Sequence, residues 1–370
     1  MNCDNLLFRR QFVLAPDPVL FFSKWKHEKL SNGYHLSVHP DLTYRYVQNG
    51  NNFIVCIGYI LDPVNTSRTD TEIIEQFFRL YSTKSELTNY LDDKGGRYVI
   101  AAYLGSEFIV LNDPAGFRQV FFMQGMSSGI WCTSQPSILA ELFHLKSDTK
   151  TQNDLMSIPL FNSTTEYWYP GNLTAYKEIT HLTPNHYLDI NTGEQVRYWP
   201  KKEFVKRNID EGAEIASNLL RGIIGSAQNR FKMALAITSG LDSRILLAAC
   251  KDIAGSIQYI THTHPRLNKN SNDIRIPSVM LSKLGLKHEL IEHPEKIDPD
   301  FEKYFRRNVA MARINKGLNA YTVYRYLQNH NTDFVVINGV CGEIARNFYF
   351  LPEPISVNAK SLAALAGMSG

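Results

Sequence analysis

No run of this chain is long and apolar enough to cross a bilayer. The longest, FIVCIGYIL at 53–61, falls well short of the roughly 20 apolar residues that a membrane helix needs. A secretory signal is missing as well: MNCDNLLFRRQF places two arginines where the apolar core of such a signal belongs. Cysteine is scarce. Cys3, Cys56, Cys132, Cys250 and Cys341 lie far apart and form no CxxC pair, which argues against a disulfide framework and a structural zinc. Several sit inside apolar runs, so reduced, buried thiols in a cytoplasmic protein are expected. Charge of one sign is also lacking. The 39 Lys and Arg against 36 Asp and Glu leave a net charge of +3, with no long basic block. Neither nucleic acid nor a membrane is an expected partner. Internal repeats and low-complexity segments are absent.

What is present is an ordinary globular balance, 44% hydrophobic and 20% charged over 370 residues, enough for two domains or three. The first 200 residues read as β-rich. NFIVCIGYIL (52–61) begins with a strand-like run. GRYVIAAYLGSEFIVLND (96–113) reads as two strands around Leu104-Gly105-Ser106, and 117–123 and 129–134 read as two more. One helix interrupts them at 69–81, where Ile73, Ile74, Phe77, Phe78 and Tyr81 share a face and Thr69 and Glu72 have capping-box spacing. Short strands and tight turns imply antiparallel pairing. Near residue 200 the pattern changes to helices alternating with single strands. Helices are expected at 211–228, from about Ser243, at 273–285 and over 300–330. The strands are 233–238, 256–261, 287–292 and 333–338. That alternation implies an α/β region with a parallel sheet covered on both faces.

The stretch MALAITSGLDSRILLAAC (233–250) breaks two apolar runs with hydroxyls, a glycine and a carboxylate. In a parallel sheet, ligands bind beyond the C-terminal ends of the strands, and a helix start favours an anion. Thr238, Ser239 and Ser243 can donate to phosphate oxygens, and Gly240 permits close approach or positive φ. Asp242 would repel a phosphate unless a cation such as Mg²⁺ bridged the two. Equally, Ser, Asp and Gly are common in plain strand–turn–helix connections. The Gly-Lys-Ser/Thr ending of a Walker A loop is absent.

TSGLDSR resembles the S-G-G-x-D-S pyrophosphate loop of the asparagine synthetase-like ATP enzymes, with Thr238, Ser239 and Gly240 at its first three positions and Asp242 and Ser243 matching directly. A second stretch, VVINGVCGEIARNFY (335–349), resembles the family's later G-x-G-x-D loop, with Gly339 at the first glycine, Cys341 at the second and Glu343 at the acid. YITHTH (259–264) resembles the strand whose end contacts adenine, which brings in Thr261. The resemblance implies ATP and Mg²⁺ as cofactors. ATP or pyrophosphate would be bound by Thr238, Ser239, Gly240, Leu241, Asp242, Ser243, Thr261 and Gly339, and the metal by Asp242 and Glu343. It implies amide-bond formation through an acyl-adenylate, between a small-molecule carboxylate and an amine or ammonia. It assigns no catalytic side chain. Asp273, His262, His264 and His288 read as helix caps and polar strand ends.

Upstream, 96–122 resembles the glutaminase domain of the same family, including a D-x-x-G-x-R turn at Asp113, Gly116 and Arg118. The resemblance therefore implies an Ntn-hydrolase-like antiparallel β-sandwich over 1–200. An adenine nucleotide α-hydrolase-like ATP-pyrophosphatase domain would follow over 201–370. The family's nucleophile is an N-terminal cysteine, whereas here Asn2 precedes Cys3, so an inactive glutaminase fold is expected, similar to that of β-lactam synthetase. Asp113 and Arg118 are then structural turn residues. The chain stops at 370, shortly after Glu343, where the family continues with a helical region. A shortened synthetase is expected, the alternative being a non-catalytic ATP-binding or assembly module.

Overall fold

The computed structural model describes residues 4–125, 129–159, 161, 168–203, 205–263, 267, 270–313, 315–330, 333–340, 356, 358, 360 and 361. The antiparallel part opens with strands β1 (Phe12–Ala15), β2 (Lys26–Lys29), β3 (His35–Val38), β4 (Tyr44–Asn49) and β5 (Asn52–Leu61). Helices α1 (Asp70–Leu80) and α2 (Lys84–Tyr90) follow, then β6 (Gly95–Leu104), β7 (Glu107–Asn112), β8 (Phe121–Gln124) and β9 (Ile130–Thr133). Helices α3 (Pro136–Phe143) and α4 (Thr149–Ser157) and strands β10 (Thr180–His181), β11 (His186–Asp189) and β12 (Gln195–Arg197) complete it. One six-stranded sheet has the order β10-β8-β9-β1-β3-β2 and the other β12-β11-β7-β6-β5-β4.

These sheets form four layers with their helices. Phe53, Val55 and Ile57 of β5 meet Phe12, Leu14 and Leu36 of the facing sheet in a central core. The alternate residues Ile54, Cys56 and Ile60 point the other way, onto Ile73, Ile74 and Phe77 of α1 and Leu87 of α2. On the far side, Val13, Phe121 and Trp131 pack beneath Ile138 and Leu139 of α3. Period-two alternation therefore exists in β5, but both faces are dry, and the strand reads as one apolar run. A plain sandwich would wet the outer faces. The expected single helix is α1, with the Thr69–Glu72 capping box formed. It has companions in α2, α3 and α4, which are too short to show a strong helical period.

The second part contains α5 (Ile209–Gln228), β13 (Met233–Ala236), α6 (Leu241–Ala249), β14 (Ile257–His262), α7 (Asn272–Lys283) and β15 (His288–Ile291). It ends, among the described residues, with α8 (Pro299–Asn308), α9 (Leu318–His330) and β16 (Val335–Ile337). Its four strands are parallel in the order β15-β14-β13-β16. Leu235 and Tyr259 pack on one face against Ile224 of α5, Leu247 of α6 and Leu281 of α7. Ala234, Ile260 and Ile291 meet Tyr326 of α9 on the other. Only the second half of α5 is covered: Ile215 and Leu219, at core spacing in the sequence, are 40% and 38% exposed.

The two parts are tied closely. A methyl group on Gly222 of α5 would lie 2.1 Å from the Pro63 carbonyl oxygen, so helix and chain touch there. Arg230 binds the Asp70 carboxylate at 2.6 Å and the Ile60 carbonyl at 2.7 Å. Cys56, Cys132 and Cys250 are buried free thiols. Among the described residues no helix is long and apolar enough to cross a membrane.

Candidate functional site

Strand order places the site. From β13 the chain steps through α6 to β14 and through α7 to β15 on one side, while β16 pairs with β13 on the other. The connections thus leave β13 in opposite directions, and such a switch point opens a crevice at the strand's C-terminal end. The loop 237–240 lies there. Ile237 is fully buried and still donates to the Ile260 carbonyl, at 2.9 Å. Beyond it the loop emerges, with Thr238 and Gly240 exposed.

Internal hydrogen bonds set the loop's shape. The Thr238 amide donates to Ser243 Oγ at 3.2 Å, and the Gly240 amide to Thr238 Oγ1 at 3.2 Å. Ser243 Oγ also lies 3.1 Å from the Gly240 carbonyl. Helix α6 starts at Leu241 from Gly240, two residues earlier than expected, and has no side-chain cap. Gly240 has φ −65°, so positive φ is not the reason for glycine here. The reason is room: a methyl group would meet only Thr238 Oγ1, at 3.3 Å, which leaves the backbone open to a ligand. Asp242 sits half-buried in the first helical turn, where a carboxylate suits the positive end of the helix dipole.

The structure brings Gly339 to this loop. Gly339 follows β16, and a methyl group on it would lie 2.7 Å from Asp242 Cβ and 3.1 Å from the Ser243 amide nitrogen. The two segments are in backbone contact that only glycine allows. Glu343 and Cys341 lie outside the described residues, as do Asn2, Cys3 and His264. Among the described residues no three His, Cys, Asp or Glu side chains gather as a metal site.

Asp273 proves to be no helix cap. Ser271 occupies the N-cap of α7, and the Asp273 carboxylate reaches across to the loop. It accepts from the Ser239 amide at 3.1 Å and from the Ser239 hydroxyl at 2.5 Å. The serine that replaces a glycine in the resembled motif thus has a partner 34 residues away. Nothing local in the sequence announces this pair. The signal available was an acid at the start of the helix that follows the neighbouring parallel strand.

Thr261 is buried within the sheet. Its hydroxyl meets the Ile237 carbonyl at 2.5 Å and His288 Nε2 at 2.8 Å, and His288 Nδ1 lies 2.8 Å from Ser278 Oγ. Burial pushes the His288 imidazole below its ordinary pKa. Burial, and then the nearby His293, do the same to His262. Asp113 closes a turn: its carboxylate accepts from the amides of Phe117 at 3.0 Å and Arg118 at 2.8 Å.

Chemically, the loop offers backbone and hydroxyl donors at an uncapped helix start. The donors of Ser239 already hold an anionic group, the Asp273 carboxylate, so their direction and chemistry fit an anion. No family model matches the chain, and no curated protein matches it. Among solved structures, glutamine phosphoribosylpyrophosphate amidotransferase from B. subtilis, complexed with ADP and GMP, is similar at 12% identity and a TM-score of 0.28. That match covers 75% of this chain and 65% of the other. A second, described as the allosteric regulatory enzyme of purine biosynthesis, is similar at 12% identity and a TM-score of 0.30, over 98% of this chain and 94% of that one. At such scores the likeness carries no functional argument, and the proposal below rests on the chain's own residues.

Proposed function

We propose that this chain binds ATP with Mg²⁺ and activates a small carboxylate as its adenylate, so that an amine or ammonia forms an amide, in the manner of the asparagine synthetase-like enzymes. The observation that carries this reading is the contact between Gly339 and Asp242–Ser243. Two stretches that resemble one family's phosphate and metal loops, nearly 100 residues apart, meet at the end of one parallel sheet. Thr238, Ser239, Gly240, Leu241 and Ser243 would hold the phosphates through amides and hydroxyls, with Gly339 closing the loop's other side. Asp242, together with Glu343, would hold Mg²⁺, which supplies charge neutralisation for the departing pyrophosphate. The antiparallel part is read as a glutaminase-like layer without glutaminase activity.

A second reading, an ATP-binding or assembly module that completes no synthesis, is favoured by Asp273. Its carboxylate stands at donors a phosphate would use. ATP–pyrophosphate exchange with Mg²⁺ and a panel of carboxylates, aspartate included, separates the two. Exchange that disappears in Asp242→Ala supports adenylation. ATP binding without exchange for any carboxylate supports the module, and no ATP binding by calorimetry sinks both.

A further inference from the structure

A cavity of about 740 Å³ lies between the antiparallel layers and the parallel-sheet part, within the range of small-molecule sites. Arg9, Arg10, Arg97 and Arg118 line it, and among the described residues its only acid is Asp333. A second cavity of about 310 Å³ also has Arg10, Arg118 and Asp333 in its wall, and adds Arg230, Lys232 and Asp41. Two of the four arginines have carboxylate partners: Arg9 pairs with Asp41 at 2.6 Å and Arg10 with Asp333 at 3.3 Å. Among the described residues, neither Arg97 nor Arg118 forms an ion pair.

Arg118 is the unusual member. It is only 9% exposed, and its guanidinium meets two carbonyls at long range, Arg97 O at 3.4 Å and Arg10 O at 3.3 Å. Asp113, adjacent in the turn, bonds the Arg118 amide and not the guanidinium. Burial, and then the charge of Arg97, lower its pKa to about 10. It remains a cation at neutral pH, and the nearby Asp113 carboxylate raises its pKa in part without bonding the guanidinium. The fold makes space for it. Gly58 has φ +106°, and a methyl group there would lie 2.8 Å from Arg118 Nε. Arg10, whose carbonyl Arg118 touches, adopts the left-handed region at φ 58°, a conformation unfavourable for a non-glycine residue.

We propose that this cavity is a binding site for a small polyanionic metabolite, whose phosphate or carboxylate groups are gripped by Arg97 and Arg118. The guanidinium forks suit both groups. Its wall includes Ile337 and Asn338, just before Gly339, and Leu246 of α6, yet the proposal does not depend on the adenylation reading.

Calorimetry on the full chain without Mg²⁺ tests it, with inorganic phosphate and citrate as separate probes. At least one binds the wild type, more weakly as salt rises, and the stronger probe names the chemistry. Arg97→Gln and Arg118→Gln each weaken binding at least tenfold, while Arg79→Gln on the exposed face of α1 leaves it unchanged. Arg97 is exposed, so its variant decides the matter if Arg118→Gln fails to fold. The proposal is overturned if neither probe binds at millimolar concentration. It is overturned equally if Arg97→Gln binds like the wild type, or if Arg79→Gln weakens binding as much.

Discussion

The antiparallel layers and the parallel-sheet part differ in how they bury their apolar residues. Tyr98, Phe8, Phe12, Phe53, Phe77 and Phe108 are among the largest fully buried side chains, and all belong to the first part. The second part also buries large rings, Tyr259, Phe301, Tyr321 and Tyr326, each left 2–7% exposed. It leaves Ile209 at 89% and Leu241 at 52% exposure, the latter within the candidate site itself. The most completely buried aromatic core thus lies in the part that does not carry the candidate loop. Ligand-binding elements are commonly drawn from the less stable end of a fold. The difference teaches that core depth and site chemistry are handled by separate sheets, joined by a few close contacts.

The largest expected effect tests the depth of the first part. Phe108→Ala, in the central core, should cost about 3–5 kcal/mol. Val336→Ala on exposed β16 should cost less than about 1 kcal/mol. Equal shifts of the urea midpoint at equal slope would break the contrast. Next comes the joint. Arg230→Ala leaves the buried Asp70 carboxylate without its cation, at a cost of about 3 kcal/mol. Differential scanning calorimetry should then show the two parts melting in separate steps; a single unchanged transition would mean that this ion pair does not couple them.

Smaller effects concern the site. Gly339→Ala forces the β16 loop away from Asp242 and should weaken ATP binding at least tenfold, about 1.4 kcal/mol. The protection of core amides in the first part should stay the same by hydrogen exchange. Asp273→Asn removes a negative charge from the loop and should tighten ATP binding several-fold; weaker binding would make Asp273 a support for the loop and not a rival of phosphate. The smallest effect is with pH. His262 and His288 have folded-state values depressed by burial. Their stabilising contribution is full above the ordinary value near 6.5 and is lost as pH falls through the lower folded values. Acidification from pH 7 toward 5 should therefore loosen the parallel-sheet part, and His288→Gln should flatten part of that dependence.

Much of this fold was legible because its signals are local. The Thr69–Glu72 capping box lies within four residues, and the period of α1 is carried by Ile73, Ile74 and Phe77. The alternation after residue 200 was equally readable, since each strand and helix announces itself in one short segment. Helices α2 to α4 were missed for want of length. The exposure of Ile215 and Leu219 on α5 was not legible, because period reports which residues share a face and not whether anything covers it. Within the site, the loop 238–243 and Gly339 could be named from their own sequence. Ser239 with Asp273, and the arginines of the cavity, could not.

By itself, then, the sequence determined the longest strands and helices, where antiparallel pattern turns to parallel, and which loop carries hydroxyls, a glycine and a carboxylate at a helix start. Those properties depend on hydrogen bonding and side-chain period within a few residues. Only the tertiary structure decided that Gly339 touches Asp242, that the Asp273 carboxylate occupies Ser239, and that Arg97 and Arg118 face one cavity without carboxylate partners. These are relations across 20 to 100 residues. They arise from packing two faces of each sheet, and charge distribution along a chain does not reveal which charges burial will bring together.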